Sequence, residues 1–500
     1  MNKKRIRNVC LMTLLIVAVG VGIFHHSGIE WGKNPLKKPV QAETKETIND
    51  LSKAFDIILE NSTKEFRKGY PIDESFLHWV RKNFGEDAIM DIAYRMHEGN
   101  LDDKLWYEYT DNSMHVLWLK YCKDLGFSTY QLENVHWQEC ASEDVVTIDL
   151  TGDINLADDW YTMEEAVKRP NGIYDCISSE VAKELQSADI TVINNEFVFS
   201  DGGDEQTDKA YTFRSKTSNV SMLDIFGTDI ANLANNHTFD YRASGLIDTL
   251  NTLKNYGATV IGAGVNLEDA KKIQYYVANG RKIAFVAATD VERYYEYTKQ
   301  ATETTPGVLK TIDPTLFEQV IAEAKANSDY VIVSVHWGHE GSYKPINLQN
   351  QMAKGYVKAG ADVVIGGHPH RVQGIEYIDN VPVCYSLGNF WFSTGTLYTT
   401  IAQIQIDKEG ELNLRMIPCL QKNLTTSMLS GADADTFYKF MADISTHIAI
   451  DKDGFVYNTL DGRNSHMLNG ENYESGKKYA TYNGSVDLEG RPINIVGNLR

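Results

Sequence analysis

From residue 144 onward, short apolar runs rich in β-branched residues alternate with helical stretches. That alternation constrains the fold more than any other feature of the chain. The runs are VVTIDL (145–150), ITVIN (190–194), ATVIG (258–262), KIAFVAA (282–288), YVIVSVH (330–336) and DVVIGG (362–367). Helical periodicity occupies 222–227, 243–256, 314–327 and 347–359 between them. A strand that is apolar along its whole length must be covered on both faces, and helices returning between strands supply the cover. The pattern predicts an α/β fold with sheets flanked by helices. VPVCYSL (381–387) and TIAQIQID (400–407) read as later strands of antiparallel type.

The flanks read differently. Residues 47–140 show apolar positions at helical spacing, such as Leu51, Phe55, Ile58 and Leu59, then Phe76, Trp79, Val80 and Phe84. This segment predicts a helical region. Its His78, His97, His115 and His136 are scattered and read as packed or exposed side chains. Residues 32–46 are polar and read as a tether. Residues 426–500, rich in Gly, Asn and Asp toward the end, read as a C-terminal extension of the 144–425 domain, with short strands near Phe455–Tyr457 and Ile493–Val496.

Residues 1–31 combine Lys3, Lys4, Arg5 and Arg7 with an apolar run from Val9 to Phe24. A span needs about 20 apolar residues and a signal core about 7–15, so the run falls between the two. No small-x-small cleavage site follows it, and an uncleaved membrane anchor is the preferred reading over a cleaved signal. The basic cluster would stay inside and the bulk of the chain would lie outside the cytoplasm.

The chain has 48 Lys+Arg against 68 Asp+Glu, a formal net charge of −20. That balance argues against sequence-independent nucleic-acid binding, which needs a basic face to displace counterions. Of six cysteines, none forms a CxxC pair. A Cys122–Cys140 disulfide is one reading; buried free thiols are preferred.

Polar clusters follow the apolar strands: Gly152–Asp153–Ile154–Asn155, Asn194–Asn195–Glu196, Asn235–Asn236–His237 with Asp240, His336–Trp337–Gly338–His339–Glu340, Gly367–His368–Pro369–His370, and Tyr385–Ser386–Leu387–Gly388–Asn389. In open α/β sheets ligands collect at the carboxyl ends of strands. Each cluster alone reads as a turn. Together they point to a metal site. His, Asp, Glu and Asn offer N and O ligands suited to Mn, Zn or Fe, whereas a calcium cage uses few histidines. His368 and His370 point apart on an extended segment unless Pro369 re-aims them, a geometry suited to two adjacent ions.

In order, GDINL, NNEF, ANLANNHTFDY, HWGHE, GGHPHRVQ and YSLGNF resemble the motif series of CapA-type capsule proteins, which are linked to poly-γ-glutamate synthesis. The resemblance covers about 145–395 and implies a calcineurin-like metallophosphoesterase fold with one or two divalent metal ions. It implies Asp153 as ligand of a first metal, Glu196 as bridge, Asn236, His336 and His368 at a second metal, and His370 returning to the first. It implies His237 as general acid, with Asp240 either orienting it or capping a helix. Arg214 is a candidate for an anionic substrate or for a surface carboxylate partner, and Asn195 is a candidate substrate contact. Two departures from the general phosphoesterase pattern stand out: Asn155 stands where those enzymes usually carry a histidine, which the capsule-type branch also commonly lacks, and Glu196 is one methylene longer than the usual aspartate.

These readings combine into an expectation. The chain would be a membrane-anchored, extracytoplasmic protein of capsule polymer synthesis or export that hydrolyses a phosphoester or related bond. The alternative is a non-catalytic scaffold that binds an anionic polymer or other capsule synthase subunits.

Overall fold

The computed structural model describes residues 50–476, apart from 63–69, 71, 102–103, 126–130, 133, 294–296 and 469–470. The apolar run Val9–Phe24 and the strand expected near Ile493–Val496 therefore lie outside the described residues. Among the described residues no helix is long and apolar enough to cross a membrane. The chain divides into two compact units, one reaching residue 128 without 67–69, the other running from residue 129.

The first unit is helical: Leu51–Asn61, Glu74–Phe84, Glu86–His97, Lys104–Thr110 and Met114–Asp124. Asp50, Asp73 and Ser113 accept backbone N–H bonds at three of the helix starts, satisfying donors that the helix cannot. Gly85, at φ 96°, separates two consecutive helices. The buried faces meet in an aromatic core, with Phe76 5.4 Å from both Trp118 and Tyr121. His115 is packed, bonded to Tyr70 Oη at 2.9 Å.

The second unit holds two large sheets. One runs, in spatial order, through 131–132, 135–138, 274–278, 281–289, 330–336, 363–367, 381–384 and 375–378. The other runs 473–474, 448–450, 455–458, 412–422, 397–407, 145–154, 190–195, 230–232 and 259–261. Parallel pairing joins 281–289, 330–336, 363–367 and 381–384 in the first. It also joins 145–154, 190–195, 230–232 and 259–261 in the second.

Alternation along each strand assigns its faces. Ile332 and Ile365 share a core with Val146, Ile148, Leu150, Ile190 and Val192 from the other sheet. The intervening Val331, Val333 and Val364 pack instead with Phe317 and Ile321 of helix Thr315–Asn327 and Met352 and Tyr356 of helix Asn347–Ala359. Ile193 and Ala231 pack with Leu246 and Leu253 of helix Arg242–Tyr256. The unit is thus helix, sheet, sheet, helix, with a central core between the sheets. The mixed α/β class is the one expected.

Two boundaries and one strand pairing differ from the expectation. Gln131–Leu132 and Val135–Gln138, expected within a helical region, form strands, and Val135–Gln138 pairs in parallel with Gln274–Ala278. The segment after 425 is not an extension: helix Gly431–Ile444 contributes Phe437, Phe440 and Met441 to the central core, and 448–450, 455–458 and 473–474 complete the second sheet. Strand Val381–Cys384 pairs in parallel with Val363–Gly367 and antiparallel with Ile375–Ile378. Cys122 and Cys140 are free thiols.

Candidate metal centre

The polar clusters arrive at one place because the inward faces of the two sheets converge there. His336, Asn194 and Gly367 continue the inward-facing positions of their strands at the carboxyl ends. Asp153 would face outward by simple alternation from Leu150. A register shift between Leu150 and Asp153 inserts the extra residue that turns it inward, while Ile154 joins the outer core. Gly152 permits this. A Cβ there would lie 2.0 Å from Gly388 O.

Two ligand groups form, each with its donor atoms within 4.8 Å of one another: Glu196, His336 and His368; and Asp153, Glu196 and His370. Glu196 belongs to both. His368 (φ 93°) and His370 (φ 53°) both adopt the left-handed region. For non-glycine residues this costs about 1–3 kcal/mol each and persists only where the surroundings enforce it. The two bends bring both imidazoles to the same side, with ring centroids 6.0 Å apart. An extended segment would have sent them to opposite faces.

His370 Nδ1 lies 3.0 Å from Asp153 Oδ2 and 2.8 Å from Asn389 Oδ1. His336 Nε2 lies 2.9 Å from Asn236 Oδ1 and 3.4 Å from Glu196 Oε1. Asn194 Nδ2 donates to Asp153 Oδ1 at 2.7 Å and spans toward Glu196 and His336. Burial holds Glu196 well above the usual carboxylate range, and the nearby Asp153 adds to the effect. Burial alone would also raise Asp153, but His370, His336 and Asn194 bring it below its ordinary value. Burial pushes His336 down to about 3 and His368 well below its usual value. For His370 burial is outweighed by Glu196 and Asp153, which raise it to about 9.

The donor set fits a divalent metal. Glu196 Oε1 and His368 Nδ1 are buried with no hydrogen-bond partner, which is costly unless a ligand takes them up. Gly367 leaves open a cradle in which a Cβ would meet Asp153 Oδ1 at 2.9 Å and His336 Nδ1 at 3.3 Å.

His237 stands beside these groups. Its Nδ1 is 2.7 Å from Asp240 Oδ2. Asp240 also accepts from Phe213 N at 2.7 Å and from Lys209 Nζ at 2.7 Å. This pairing sets the orientation of the His237 ring, and burial raises the Asp240 carboxyl to about 7. Burial and the Lys209 ammonium push the His237 pKa well down. Asp240 orients His237; it does not cap a helix. Lys209 also meets Glu292 Oε1 at 3.3 Å and the Asn236 carbonyl. Sequence reasoning missed Lys209 because it lies in a loop without strand or helix signal. Only its contact with Asp240, 31 residues away, reveals it.

The two candidate substrate contacts have these protein partners. Asn195 is fully buried and donates to Phe197 O at 2.8 Å. Arg214 lies over the Tyr241 ring at 4.4 Å and donates to Gly202 O. Asn155 Oδ1 caps the local turn by accepting from Ala157 N at 2.8 Å. His339 and Glu340 are exposed beyond the cluster.

Residues 147–394 match the family model described as bacterial capsule synthesis protein PGA_cap. The PGA biosynthesis protein CapA of Bacillus subtilis (strain 168) is 34% identical over 282 residues, covering 55% of this chain and 72% of that protein. The capsule biosynthesis protein CapA of Bacillus anthracis is 33% identical over 243 residues, covering 47% of this chain and 58% of that protein. Among solved structures, the 5'-nucleotidase from Candida albicans SC5314 is 10% identical, with a TM-score of 0.30 over 53% of this chain and 48% of that one, too loose a likeness to argue from. With its motif series, its matched domain and these relatives, the chain belongs to the CapA family of capsule synthesis proteins.

Proposed function

We propose that this protein is a metal-dependent phosphoester hydrolase serving capsule polymer synthesis or export, with poly-γ-glutamate the polymer suggested by the names of its relatives. The observation that carries this reading is the shared carboxylate: Glu196 belongs to both ligand groups, a pattern suited to a pair of ions. Asp153, Glu196 and His370 would hold one ion; Glu196, His336 and His368 the other, with Asn236 beside them. Bound there, the ions would supply positive charge against the negative charge that builds on a transferred phosphoryl group.

The chain's own residues supply the rest. Asn194 and Asn389 fix the carboxylate and imidazole orientations. His237 exchanges a proton at Nε2, and Asp240 at 2.7 Å balances the imidazolium that results. The proposal also places residues 9–24 in the membrane, the bulk of the chain outside the cytoplasm, and other synthase subunits and an anionic polymer or phosphoester as partners.

Metal content by mass spectrometry tests the reading. We expect about one or two equivalents of Mn, Zn or Fe per chain, lost in a folded His368→Ala/His370→Ala variant. No metal after resupply would overturn it. Bound metal without phosphoester turnover, and a silent His237→Ala, would instead establish a scaffold.

A further inference from the structure

We propose that an aromatic corner beside the metal centre is a subsite for a pyranose ring, so that the phosphoester handled here is a glycosyl phosphate; this deepens, and rests on, the hydrolase reading. The rings form a continuous path outward from the two histidines nearest solvent. Phe213 lies 4.3 Å from His237, Phe392 lies 4.5 Å from His370, and the two phenylalanines are 5.5 Å apart. Trp160 touches both, at 4.8 and 6.3 Å. Its indole N–H donates to the Phe392 carbonyl, which fixes the ring. Tyr161 and Tyr211 flank Trp160 at 4.8 and 5.9 Å and are 51% and 62% exposed.

Exposed aromatic side chains scattered singly need no explanation. These two are joined through one tryptophan to the ligand site itself, where a substrate's non-reacting part would rest. Tyr211 stacks with Phe213 at 20°, but Trp160 meets both exposed rings steeply, Tyr161 at 53° and Tyr211 at 76°. A flat base is best held against a parallel face, by offset stacking. A steep corner instead offers one ring face and one ring edge, which suits the axial C–H groups of a puckered sugar.

The rim agrees. Asp159 and Glu205 are exposed beside the corner, and the Thr212 hydroxyl donates to Glu205. Both carboxylates act electrostatically on Tyr241, the ring that Arg214 covers. Carboxylates accept hydrogen bonds from sugar hydroxyls and repel a polyanion. The glycosyl group would therefore bind by ring contact and hydroxyl donation, with its phosphate toward Glu196 and the histidines.

Titration calorimetry and saturation-transfer NMR on the purified chain with Mn test this, using glucose 1-phosphate, inorganic phosphate, AMP and methyl α-glucoside as probes. Glucose 1-phosphate should bind about tenfold tighter than inorganic phosphate. Tyr161→Ala/Tyr211→Ala should remove that advantage and leave phosphate affinity unchanged. Equal affinities, or an advantage that belongs to AMP and depends on the tyrosines, would overturn the sugar assignment. If inorganic phosphate does not bind at all, the hydrolase reading fails separately. Methyl α-glucoside then decides the subsite: transfer from the aromatic protons that the tyrosine variant abolishes supports it, and absence of transfer overturns it.

Discussion

At the residue scale, the buried charges carry the sharpest tests. Lys209 is 9% exposed and faces two carboxylates, Asp240 at 0% and Glu292 at 9%. Lys209→Met would strand both without a counter-ion, at a cost of about 3–5 kcal/mol. We expect a correspondingly lower denaturation midpoint, and Lys209→Arg should recover part of it. Asp149 tests pH dependence away from the metal centre. Its carboxyl accepts from Gln403 Nε2 at 3.0 Å, and its second oxygen is buried without a partner. Burial raises it from 3.8 to about 8. Between those values the folded chain keeps a proton that the unfolded chain releases, so this group's contribution to stability falls as pH rises and is lost above about 8. Asp149→Asn keeps the acceptor for Gln403 and carries no charge. Its stability relative to the parent should improve from pH 4 to pH 8, by on the order of a few kcal/mol. A difference that stays flat across that window would refute the assignment. The ligand types were legible residue by residue in the sequence. The partners that set their protonation were not, because Lys209, Asn389 and Phe213 meet them only across the fold.

Elements carry the next level of specification. The six apolar runs form strands because β-branched residues suit a sheet covered on both faces. Their polar ends meet because parallel strands bring their carboxyl ends to one edge. The bulge at 150–153 and the left-handed His368 and His370 escaped the period-two pattern, since each breaks it to aim a ligand. Close backbone approach explains why glycine stands next to them. A Cβ on Gly366 would lie 2.0 Å from Tyr385 O and 2.4 Å from Trp337 Nε1. Gly366→Ala should cost about 3 kcal/mol through overpacking and lower metal occupancy by displacing the His368 loop. Calorimetry and metal analysis on the same sample check both. Strand Val135–Gln138 was illegible for a different reason: VHWQ carries no pattern of its own, and its partner lies at 274–278.

The whole molecule fixes which segments belong together. A chain ending at residue 428 would lose Phe437, Phe440 and Met441 from the central core, together with the strands at 448–450 and 455–458. We expect it to be insoluble, or to unfold without the cooperative transition that circular dichroism should show for the full chain. A soluble, cooperative truncation would show the C-terminal segment to be dispensable after all. The larger unit shortened to begin at 129 should keep its sheet; shortened to begin at 141, it should expose the edge of Gln274–Ala278 and associate, which light scattering would reveal.

The sequence by itself determined the α/β class, the six apolar strands, and the gathering of His, Asp, Glu and Asn behind them, because hydrophobic period and residue chemistry act locally. The tertiary structure decided the rest. It turned Asp153 and the two histidines inward, joined His237 to Asp240 and Asp240 to Lys209, and drew helix Gly431–Ile444 and the strands after it into the central core and the second sheet. Those outcomes depend on desolvation and on contacts between residues far apart in the chain, and neither is written in any local pattern.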